Sequence, residues 1–164
     1  MCHTEVNKFR LFVIHVFILL VFTTTALGQN KNNQIELTAI NTGFNLNTAS
    51  ALETQQVKTN AFQIVATSKA NNNFRIFAKV SSSTSSTGTP LPASMLAVRL
   101  NSVSPTVAAN FNTITLSSSD QTLQTINTTS SPITFNYDLL TGPIGYSYAP
   151  GTYNLTMLFT MTQP

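Results

Sequence analysis

The chain has 164 residues, 42% of them hydrophobic and only 8% charged, against about 25% charged in ordinary soluble domains. That length suits one domain of common size. A formal net charge of +3 from so few ionic residues does not supply the continuous basic face that nucleic-acid binding needs.

The first residues read as a leader. MCHTEVNKFR is a short, weakly cationic start, and LFVIHVFILLVF (Leu11 to Phe22) is apolar apart from His15. TTTALGQ then places Ala26 and Gly28 three and one residues before a cut that leaves Gln29 at the N-terminus. This is the three-part layout of a secretory signal peptide over residues 1–28. The apolar run is shorter than the roughly 20 residues a spanning helix needs, so no stable membrane span is expected after cleavage. Cys2, His3 and His15 are the chain's only cysteine and histidines, and all leave with the leader. What remains has no disulfide and must hold together by core burial and backbone ladders.

Residues 29–34, QNKNNQ, form a polar and flexible lead, and residues 35–164 are expected to form the domain. IELTAI alternates Ile35, Leu37 and Ala39 against Glu36 and Thr38, the period of a strand. NTGFNLNTASALET is loop-like, with room for a short strand. NAFQIVATS and FRIFAKV each put apolar residues on one face, and the intervening KANNN is rich in turn-forming Asn, so the pair predicts a β-hairpin. SSSTSSTGTPLPA (Ser81 to Ala93) breaks all periodicity and reads as a crossover loop; its Pro90 and Pro92 exclude a central strand. Further strands follow in MLAVRLNSV, in FNTITLSS with a bulge, in QTLQTIN, and in PITFNYDLL, which sets Ile133, Phe135, Tyr137 and Leu139 on one side. GPIGYSYAPG turns the chain into YNLTMLFTM, whose Tyr153, Leu155, Met157, Phe159 and Met161 line one face. About eight short strands with regular turn signals predict an all-β fold, a single antiparallel sandwich or barrel.

The chemistry open to such a chain is narrow. After the leader, six basic residues (Lys31, Lys58, Lys69, Arg75, Lys79, Arg99) face four acidic ones (Glu36, Glu53, Asp120, Asp138). A Ser or Cys nucleophile leans on a His base, and none is left. Ser68 precedes Lys69, but successive strand residues point to opposite faces, so the two cannot form a dyad. Glycoside cleavage needs two carboxylates about 5–10 Å apart, and the four here are isolated in sequence. Zinc would lack its Cys and His ligands, and no D-x-D stretch gathers oxygens for calcium. No catalytic residue, metal or cofactor is therefore assigned, and an enzyme is not expected. Asp138, between Tyr137 and Leu139, reads as an outward residue of its strand. Asn127 and Asn154 head N-x-[ST] triplets, which arise readily by chance in a chain this rich in Asn and Thr. Tyr146 and Tyr148, two residues apart in a loop, are the candidate contacts for a glycan or partner.

FQIVATSKANNNFRIFAKV, PGTY before an alternating last strand, and the Ser/Thr/Asn-rich loops together resemble small exported bacterial β-sandwich proteins of the fimbrial-subunit and surface-adhesin kind. The likeness covers about two-thirds of the chain and is one of pattern. It implies an immunoglobulin-like Greek-key sandwich with a structural or adhesive role in the periplasm, at the cell surface or outside the cell. It also implies assembly by pairing at sheet edges, for which Ile35, Leu37 and Ala39 mark a strand-exchange segment. Many fimbrial subunits carry a disulfide, which this chain lacks. A carbohydrate-binding module using Tyr146 and Tyr148 is the alternative. N-terminal sequencing of the exported protein is expected to begin at Gln29; a retained Met1 would contradict the leader.

Overall fold

The alternation along residues 133–139 becomes a strand with neighbours on both sides. In the computed structural model, which describes residues 34–46, 48–68, 73–86, 88–127, 132–148 and 152–163, eight strands are present among the described residues. They are β1 (Gln34–Ala39), β2 (Gln56–Thr67), β3 (Phe74–Ser85), β4 (Leu96–Ser104), β5 (Ile114–Thr115), β6 (Gln121–Ile126), β7 (Ile133–Thr141) and β8 (Tyr153–Thr162). One sheet has the order β1-β2-β7-β4-β5 and the other the order β6-β3-β8, with every pairing antiparallel. Residues 1–33, which hold the expected leader and most of the expected lead, and residues 69–72 of the KANNN turn lie outside the described residues. Gln34, taken above as part of the lead, already belongs to β1.

Each sheet buries one face because its apolar residues recur every second position. From the first sheet come Phe62, Ile64 and Ala66 of β2, Leu96, Val98 and Leu100 of β4, and Ile133, Phe135, Tyr137 and Leu139 of β7. From the second come Phe74, Ile76, Ala78 and Val80 of β3, Leu123 and Ile126 of β6, and Tyr153, Leu155 and Met157 of β8. All join one core cluster. Phe62 lies at its centre, stacked on Tyr137 at 5.2 Å between ring centroids and tilted against Phe159 of the opposite sheet at 5.3 Å.

The expected hairpin between NAFQIVATS and FRIFAKV does not form. β2 pairs with β1 and β7, whereas β3 pairs with β6 and β8, so the two strands belong to different sheets. Both present their apolar residues to the same core, and placing them in opposite sheets buries both faces as well as a hairpin would. Strand periodicity records which face is apolar and not which edge is paired.

Two other segments differ from their sequence expectation. β3 continues through Ser85, with Ser82 to Ser85 opposite Thr156 to Tyr153 of β8. The register shifts between Val80 and Ser82, where the strand leaves the core. Beyond that point main-chain hydrogen bonds maintain the ladder, so no apolar alternation is needed or present. Residues 49–53, read as loop or strand, form a short helix α1 (Ala49–Glu53). Thr48 caps its start by accepting from Ala51 N at 3.1 Å, and the Thr54 hydroxyl closes its end by donating to Ser50 O at 2.7 Å. α1 is held by Gly145, whose N–H donates to Leu52 O at 2.9 Å from a left-handed backbone (φ +66°) that favours glycine.

Phe62 is fully buried with an aromatic ring on either side. Phe62→Ala is expected to lower unfolding free energy by about 3–5 kcal/mol in chemical denaturation, with the denaturant slope unchanged.

Candidate functional site

Most of the ionic chemistry inside the fold converges on Asp138. It sits on β7, on the side of the sheet away from the core, yet it is 0% exposed. The reason lies in its two neighbours. β2 places Thr59, Asn60 and Ala61 opposite the single position of Asp138, because its register jumps from Lys58–Leu139 to Phe62–Tyr137. β4 carries an extra residue, Asn101, between Leu100–Tyr137 and Ser102–Asn136. Both irregularities are β-bulges, which bend a strand and release backbone groups from the ladder. Asn60 takes a left-handed backbone (φ 49°), a conformation Asn tolerates better than most residues.

The Asp138 carboxylate gathers what these bulges release. Asn60 N donates to Oδ1 at 3.0 Å, Asn101 Nδ2 donates to Oδ1 at 3.0 Å, and Arg99 Nη2 donates to Oδ2 at 2.7 Å. Ala61, inside the β2 bulge, accepts from Ile40 N and Asn41 N through its carbonyl, tying the end of β1 to the same place. Burial acts to raise the Asp138 pKa, but the hydrogen bonds from Arg99, Asn60 and Asn101, with the charge of Arg99, outweigh it and hold the carboxyl below the ordinary range. A carboxylate so fully supplied with donors is a weak base and has no lone pair aimed at solvent. The arrangement staples three strands together. Beside it, Gln63 Nε2 donates to Asn136 Oδ1 and Asn136 Nδ2 to Ser102 Oγ, each at 3.0 Å, continuing a polar row across β2, β7 and β4.

One other buried polar side chain is equally engaged. Gln124 of β6, 1% exposed, clasps the backbone of Asn110 in both directions: Asn110 N donates to its Oε1 at 2.7 Å and its Nε2 donates to Asn110 O at 2.9 Å. This fixes the β4–β5 connection against the second sheet. Burial pushes the pKa of the Tyr137 hydroxyl up, against a smaller opposing pull from the Gln124 side chain, so the phenol stays neutral.

The two candidate tyrosines have different surroundings. Tyr146 is 66% exposed and donates its hydroxyl to Glu53 Oε1 at 2.8 Å, a hydrogen bond that raises its pKa. Tyr148 packs edge-on against Tyr153, with ring centroids 6.4 Å apart, and leans on the core. Ile35 and Leu37 of β1 are half-buried against the core, while Ala39 is exposed. Among the described residues no group of three or more His, Cys, Asp or Glu side chains could hold a metal ion. No described helix is long and apolar enough to cross a membrane.

Sequence reasoning placed Asp138 on the outward side of its strand, where it lies, but not its burial; it missed Asn60, Arg99 and Asn101 as its partners and Gln124 as a second buried polar side chain. Arg99 stands directly opposite Asp138 across the β4–β7 ladder, yet nothing short of the register brings them together. The sequence matches no model of a known protein family, and no curated protein matches it.

Removing the buried carboxylate takes away the shared acceptor of three donors that themselves belong to exposed residues, so Asp138→Ala is expected to cost about 1–3 kcal/mol of stability by chemical denaturation. Arg99→Ala is expected to cost only about 1 kcal/mol, because its side chain is 44% exposed and water screens the pair. With its folded pKa depressed, Asp138 contributes stability that is complete above the ordinary Asp value of 3.8 and is lost as pH falls through the lower folded value. Asp138→Asn is expected to remove that acid-side contribution in melting experiments run across this range.

Proposed function

We propose that this chain is a non-enzymatic β-sandwich protein, exported or held at the cell surface, with a structural or adhesive role of the fimbrial-subunit kind. Two antiparallel sheets over one core, with β2 and β3 divided between them, support the sandwich and its immunoglobulin-like Greek-key arrangement. The leader-like residues 1–28 support export.

The observation that carries the assembly role is the character of β8. It is ten residues long, pairs among the described residues with β3 alone, and holds no charged residue and no proline. Sheet edges that must stay single are blunted by charge, proline or shortness. β8 has none of these protections, and a strand from a second polypeptide can extend its ladder by main-chain hydrogen bonds. β1 is the complementary element: a six-residue edge strand that among the described residues pairs with β2 alone and approaches β8. Its Ile35, Leu37 and Ala39 make it the segment for exchange between copies.

Size-exclusion chromatography and electron microscopy of the processed protein test this reading. Oligomers or filaments are expected, and Thr156→Lys, which sets one charge within β8, is expected to reduce the assembled fraction several-fold with little change in melting temperature. A wild-type protein that stays monomeric at every concentration would overturn it.

A further inference from the structure

The outer face of the three-stranded sheet carries an arrangement that the edge-pairing reading does not use. β3 runs through its middle, and with Phe74, Ile76 and Ala78 turned to the core, Arg75, Phe77 and Lys79 occupy the opposite face. Their neighbours across the ladders are hydroxyl-bearing. Thr125 and Thr162 flank Arg75, Thr122 and Thr160 flank Phe77, and Leu158 stands beside Lys79. Arg75 and Lys79 are four positions apart on an extended strand, about 13 Å, with the half-exposed Phe77 ring between them.

Charge is scarce in this chain, which makes its placement informative. Arg99 is consumed by Asp138. Arg75, in contrast, is exposed and has no carboxylate partner among the described residues. Lys79 meets Asp120 at 3.3 Å, but both side chains are wet, at 31% and 50% exposure, so an incoming anion can replace that partner. Beside Arg75, at the end of β3 and β6, a hollow of about 250 Å³ is lined by Asn73, Phe74, Thr125, Asn127 and Arg75 itself. It therefore offers side-chain amides and a hydroxyl next to an unpaired guanidinium.

We propose that this face binds an anionic polysaccharide laid along β3. Arg75 and Lys79 engage successive carboxylate or sulfate groups, Phe77 lies under an intervening sugar ring, and the threonine rows meet its hydroxyls. A guanidinium fork matches the geometry of such oxyanions. An aromatic face beside hydroxyl and amide groups suits a flat, polyhydroxylated ring. Two cations are too few for the phosphate array of a nucleic acid, whose binding grows with each phosphate neutralised.

Binding of the processed protein to alginate (carboxylate groups), dextran sulfate (sulfate groups) and neutral dextran, measured by titration calorimetry, tests the assignment. Binding to alginate, dextran sulfate or both, with neutral dextran ignored, is expected; which polymer binds identifies the anion. Arg75→Gln with Lys79→Gln is expected to weaken binding at least tenfold and Phe77→Ser several-fold, with melting temperatures showing each variant folded. Lys58→Gln, which removes one positive charge from the other sheet, is expected to leave affinity unchanged. No binding to either polyanion, equal binding to neutral dextran, equal loss in Lys58→Gln, or equally effective competition by duplex DNA would overturn the proposal. Because this test reads affinity and the β8 test reads assembly, either can fail without the other.

Discussion

The contact on which the rest of the molecule depends is the meeting of the two sheets through Phe62, which lies against Tyr137 within its own sheet and against Phe159 of the other. A chain with so few charges and a single cysteine near its start has little besides apolar burial to draw on. The inner faces of β2, β3, β4, β6, β7 and β8 supply it as one continuous cluster. Loop residues join in: Phe44, Leu46 and Ile144 are buried and seal the ends of the core. Backbone hydrogen bonding along the ladders then satisfies the polar main chain that this burial would otherwise leave without partners.

That core creates a local problem, which Asp138 resolves. β7 is hydrogen-bonded on both sides and buried on both faces near its end. A bulge in each neighbour at this level releases backbone and side-chain donors toward a place that water does not reach. One carboxylate accepts from three of these donors, and Arg99 balances its charge from the rim. The same logic governs Gln124, whose amide matches the donor and acceptor of Asn110. Asp138 and Gln124 are thus structural parts of the sheets.

The two sheets differ in what their outer faces offer. The five-stranded sheet pairs Arg99 with Asp138, and beside them a row of amides and hydroxyls is bonded across strands. The three-stranded sheet leaves Arg75, Phe77 and Lys79 facing outward among threonines.

Much of the fold was legible in the residues. Each of the eight strands overlaps a stretch that reads as a strand in the sequence, and period-two alternation named nearly every inward residue of β7 and β8, because burial on one face demands apolar side chains at every second site. The polar end of β3 left no such trace, since main-chain pairing with β8 holds it and its side chains stay wet. α1 was hidden because five residues with a threonine cap are too few to show a helical period. The division of β2 and β3 between sheets, the Arg99–Asp138 pairing and the union of Arg75, Phe77 and Lys79 with the threonine rows were decided by tertiary structure. A strand's own sequence states which face is oily. Which strand lies alongside, and in what register, depends on how all the faces fit together at once.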